Sequence, residues 1–81
     1  MLANDIKKGM RVLLANGWEG TMYDNAKGNI RMVDVEGTFR EIGSVYIHDI
    51  LWVKVGDGWE YVRLSERQAM VAMNILKQSS L

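Results

Sequence analysis

The chain of 81 residues contains neither cysteine nor proline. Without cysteine there is no disulfide staple, no thiolate metal site and no cysteine nucleophile. Without proline, the corners fall to eight glycines, which reach backbone conformations closed to other residues. An excess of one charge is also missing, since ten basic residues balance ten acidic ones. That removes the bulk-charge argument for a polyanion binder. No apolar run reaches the roughly 18 residues that suggest a membrane span. The opening Met-Leu-Ala-Asn-Asp-Ile-Lys-Lys lacks the order of charge, apolar stretch and cleavage site of a signal peptide. The expected location is therefore cytoplasmic, with no membrane partner. What is present is ordinary for a folded chain, at 48% hydrophobic and 25% charged residues, and the length suits one small domain.

The first two thirds read as short strands divided by glycine-bearing turns, the pattern of a small all-β barrel or sandwich. Met10 to Ala15 is the first strand, and Asn16-Gly17 turns into Trp18 to Asp24. Gly20 interrupts that second strand, which suggests a bulge or a close backbone approach. Beyond the corner Asn25-Ala26-Lys27-Gly28, Ile30 to Val35 forms a third strand and Thr38 to Ile42 a short fourth. Ser44 to Ile50 is expected to cross in extended form and turn tightly at His48-Asp49. Leu51 to Val55 and Trp59 to Leu64 make a hairpin around Gly56-Asp57-Gly58.

The last segment, 65–78, predicts a helix. Ser65 is placed to cap it, with Gln68 three residues on as in a capping box. At about 100° per residue, Val71, Ile75, Ala72, Leu76, Ala69 and Met73 cover an arc of roughly 200°, twice what one flat contact needs. Either Ala69, Met73 and Leu76 seat on the barrel while Val71 and Ile75 meet a second surface, or the whole arc sinks into a groove. The expected core comprises Val12, Leu14, Met22, Val33, Val45, Ile50, Val53, Tyr61, Met73 and Leu76.

Five or six short strands in about 60 residues, followed by one helix, resemble an SH3-like barrel. Gly9, Val12, Gly17 and Gly20 resemble the spacing of the KOW motif, found in ribosomal proteins and transcription elongation factors of that fold. A further glycine of the motif falls at Tyr23, and Glu19 is acidic where RNA-binding members tend to be basic. The resemblance therefore implies the barrel more than the RNA. The stretch from Asn16 to Val33, with Gly43 to Ile50, also looks like short tailed-bacteriophage proteins without an assigned activity. It implies an accessory protein made in a bacterial cell.

Chemistry-bearing residues are few. His48 is the sole histidine, and strand neighbours such as Asp49 face the other way. His48 therefore reads as a structural residue hydrogen-bonded in its turn. Asp24, Asp34 and Asp49 follow no metal-ligand spacing, and the glycines follow no phosphate-loop pattern. No catalytic residue, cofactor, metal or small-molecule substrate is inferred. For nucleic acid, Lys7, Lys8, Arg11, Arg31 and Arg40 supply cations, with Trp18 and Tyr23 for stacking. The competing reading pairs those cations with Asp5, Glu19, Asp34 and Glu36. Protein binding has the stronger motive, through Val71, Ile75, Met70 and Trp18, with a two-fold homodimer as one form. The expectation is a non-enzymatic SH3-like binding domain acting on a protein partner or its own copy. Single-stranded nucleic acid is the alternative.

Overall fold

The structure is a computed structural model that describes residues 1–25, 28–37 and 39–79. A 3-10 turn at Ala3–Asp5 leads into β1 (Arg11–Leu14), β2 (Glu19–Asp24), β3 (Ile30–Glu36) and β4 (Arg40–Tyr46). A second 3-10 turn, Ile47–Asp49, precedes β5 (Ile50–Val55), β6 (Gly58–Tyr61) and the helix α1 (Glu66–Ser79). The strands form one antiparallel sheet in the order β4-β3-β2-β1-β5-β6. The run from β1 to β4 is a meander, and β5 returns to the free side of β1 after the second 3-10 turn. This is the expected mainly β, barrel-like SH3-type arrangement with one C-terminal helix.

Alternation along the strands explains where the core sits. Val12 and Leu14 of β1, Met22 of β2, Val33 and Val35 of β3, and Val53 of β5 point inward, and Ile50, three residues before Val53, joins them across the register shift in the β1–β5 ladder. Ala3, Ile6, Ile47 and Val62 close the same cluster, with Val45 partly buried against it. Gly20 allows close strand approach. A Cβ there would lie 2.5 Å from Val33 Cγ1 and 2.9 Å from the Asp34 carbonyl oxygen. The ladder irregularity in β2 comes later, between Met22 and Asp24.

The bounds of β4 and β6 differ from those expected. β4 does not stop at Ile42; the stretch read as an extended crossing continues the ladder to Tyr46, opposite Ile30. Thr38 lies outside the described residues. β6 is also shorter than Trp59 to Leu64, because Arg63 leaves β5 to bridge Leu2 in parallel.

Tyr61 is not core but 57% exposed. Gly56, at φ +60°, and Asp57 alone make the turn, so Val55 pairs with Gly58 and Trp52 with Tyr61. A three-residue turn would have set Tyr61 opposite Val53 and inside. The one-residue difference moves it to the outer face, edge-on against Trp52 with ring centroids 5.3 Å apart.

Met73 and Leu76 are not core either, at 70% and 59% exposed. Ala72, 6% exposed, is the buried helix residue among those described, and α1 packs beside the second 3-10 turn. The helix is therefore rolled by about a quarter of a turn from the orientation that would seat Met73 and Leu76 on the barrel.

Candidate interaction surface

Polar contacts at its first turn set the roll of α1. Gln68 N–H donates to Ser65 Oγ at 3.1 Å and Ser65 N–H donates to Gln68 Oε1 at 2.9 Å, the reciprocal capping box expected from sequence. Gln68 Nε2 then donates to Asn4 Oδ1 at 2.9 Å, tying the helix to the N-terminal turn. Asn4 Oδ1 also accepts from Arg31 Nη2 at 3.1 Å. Arg31 in turn donates to the Gly28 carbonyl and to both the carbonyl and side-chain oxygen of Asn25. Asn25 Nδ2 completes the network, donating to the Ala3 and Ile6 carbonyls at 2.9 Å each.

With Gln68 and Ala72 facing the body, Val71, Ile75 and Ala69 are half-buried beside them. At about 100° per residue, the opposite side carries Glu66, Met70, Met73 and Lys77, spaced four, three and four apart within about 60°. Met70 is 65% exposed, and Leu76 flanks it and Met73 on one side. Val71 and Ile75 are thus not the outward pair expected for a second surface. Met70 is, and Met73 and Leu76 join it. The four-three-four spacing was the signal for this stripe, but the apolar arc alone does not say which part of itself is docked.

Trp18 does not project freely. Its ring lies on Gly37, where an added Cβ would come within 2.3 Å of Trp18 Cζ3, while Trp18 N–H donates to Asn16 Oδ1 at 3.0 Å. Trp18 is nevertheless 40% exposed.

The proposed cationic face does not assemble. Arg31 is 3% exposed and structural, and desolvation lowers its pKa from the usual guanidinium value. Arg11 bridges Glu36 at 2.8 Å and Glu19 at 2.7 Å and also donates to Thr21 Oγ1. Arg40 clamps Asp34 at 2.8 Å. These hydrogen-bonded pairs raise both arginine pKa values and lower those of Glu36 and Asp34. Lys8 stands over the Tyr23 ring, 4.9 Å from its centroid, and Tyr23 is 45% exposed. Lys7 is exposed. Glu19, Asp34 and Glu36 thus hold two of the five cations, and the body buries a third.

His48 stacks on Tyr46 with centroids 5.0 Å apart. The 3-10 turn, unlike a strand, brings its Nε2 to 3.8 Å from Asp49 Oδ1, longer than a hydrogen bond. Asp49 lines two shallow hollows with Asn16 and Val45, but His48 lines neither. A groove of about 480 Å³ runs between Asn4, Asn29, Arg31, Arg67 and Val71, with no acid lining it among the described residues. No group of three His, Asp or Glu among the described residues is placed to hold a metal ion, and none of their helices is long and apolar enough to cross a membrane. No family model, curated protein or solved structure matches the chain.

Proposed function

We propose that this protein is a non-enzymatic binding module that engages a protein through the outward stripe of α1. The observation that carries the reading is the exposure of Met70, Met73 and Leu76 on the side of a helix whose other side is docked. Adjacent exposed side chains of this size on one small element favour association, and methionine adapts its shape to a partner surface at low cost. The roll of the helix, fixed by Gln68 and Asn4, keeps the stripe presented. The likeness to tailed-bacteriophage proteins supports a setting inside an infected bacterial cell. Nucleic acid is disfavoured because Arg11 and Arg40 are bound to carboxylates and Arg31 is buried.

A photoreactive residue replacing Met73 in the full chain tests this in the cells that produce it, with the same residue at Asp57 of the β5–β6 turn as control. A discrete protein adduct at Met73 and none at Asp57 is expected. No adduct at Met73, or equal labelling at both positions, overturns the proposal.

A further inference from the structure

The stripe on α1 is self-complementary. Glu66 and Lys77 stand at its two ends with opposite charge, and Met70 and Met73 lie between them. Position numbers of the inner pair add to the same total as those of the outer pair. A two-fold axis midway between Met70 and Met73 therefore sets Met70 against Met73 of a second copy, and Glu66 against the second copy's Lys77. The same operation brings Ala69 and Leu76 of both copies to one side of the seam. A parallel arrangement would instead oppose Glu66 to Glu66 and Lys77 to Lys77.

Resting on the reading of this stripe as a contact surface, we infer that its occupant is a second copy of the chain, packed antiparallel helix to helix. A spacing of four, three and four is the seam that helices use to pack side by side at shallow angles. A two-fold contact needs one self-complementary patch and closes on itself. Net charge is zero, so the copies carry no long-range mutual repulsion. The 14-residue helix offers a seam only about 21 Å long, small against stable interfaces, which sets the expected dissociation constant at about 10 to 100 µM.

Sedimentation equilibrium of the full chain at low salt, with E66K, K77E and the double variant E66K/K77E, tests this pairing. Mass should rise from 9.2 kDa toward twice that value with concentration. Each single reversal should weaken dimerisation about three- to tenfold, since it replaces two exposed attractions by repulsions. The double variant should return to within about twofold of the original. Circular dichroism of each variant reports whether the helix is retained. If the helix is lost in a single variant, the same reading is taken from E66Q and K77Q, which should weaken dimerisation by a smaller factor. A dimer indifferent to the single reversals, or not rescued by the double one, overturns the antiparallel register. A monomer up to about 1 mM overturns self-pairing. The binding reading then still stands if the Met73 adduct contains a different protein, and falls with it if no adduct forms.

Discussion

The barrel and the helix are built on different terms. Val12, Met22, Val33, Ile47, Ile50 and Val53 are almost wholly withdrawn from water, whereas α1 contributes Ala72 alone to the buried set among its described side chains. The barrel encloses its own core, so its stability comes from apolar burial and close packing. The helix is held by a capping box, a Gln68–Asn4 hydrogen bond and a shallow apolar contact. A region so attached can change its outer surface at little cost to folding. That freedom suits a contact element.

The sharpest test of the difference is a matched pair of truncations. Met22→Ala should cost about 2 to 5 kcal/mol, through lost burial and the cavity left behind. Leu76→Ala, on an exposed position, should stay within about 0.5 kcal/mol. Urea midpoints of the two variants check both values. Equal losses would mean that the helix belongs to the same packed unit as the barrel.

Arg31 is where the two regions meet, and its removal ranks next. Arg31→Met should cost about 1 to 3 kcal/mol, because the Asn25 and Gly28 carbonyls lose a buried donor and Asn4 Oδ1 loses one of two. Hydrogen exchange should speed at both the β2–β3 corner and the first turn of α1. Acceleration confined to the corner would show that the network does not reach the helix.

Ser65→Ala should be milder, at about 1 kcal/mol for a lost N-cap. Its expected mark is local, with faster exchange at residues 66–69 and unchanged protection in β1, β3 and β5. Protection lost throughout would merge the two regions into one cooperative unit.

Most of the barrel was legible in the sequence because its signals are local. Alternation exposed Val12, Leu14, Val33 and Val53, glycine marked the corners, and Ser65 with Gln68 marked the helix start. Tyr61 was misplaced by one residue of turn length, which no alternation pattern inside β6 can correct. The helix surface was misassigned for a different reason. Periodicity gives the width of an apolar arc but not its roll, and here the roll depends on Gln68 meeting Asn4, 64 residues away. The fate of Arg31 was equally hidden. Only the fold brings Asn4, Asn25 and Gly28 around a residue that reads in the sequence as a surface cation.

The smallest expected effect concerns the outer charged face of the barrel. Arg40 lowers the Asp34 pKa, chiefly by hydrogen bonding, and Arg11 does the same for Glu36. A carboxylate more acidic in the folded state than in the unfolded chain adds stability that is fully present above the unfolded carboxylate range near pH 4 and is lost as pH falls through the depressed folded value. Stability should therefore decline on acidification below about pH 5. High salt should blunt that decline, since these pairs face solvent. Arg40→Met should raise the Asp34 pKa and leave the Glu36 pKa largely in place, while Arg11→Met should mainly raise that of Glu36, as read by NMR titration of the side-chain carboxyls. The helix provides the internal control. Gln68, Asn4 and Ser65 carry no titrating group, so the pinning of α1 should persist through the same pH range while the outer sheet loses its ion pairs. Simultaneous loss of both, followed by amide exchange, would show that the charged strands and the helix share a support that their hydrogen bonds do not reveal.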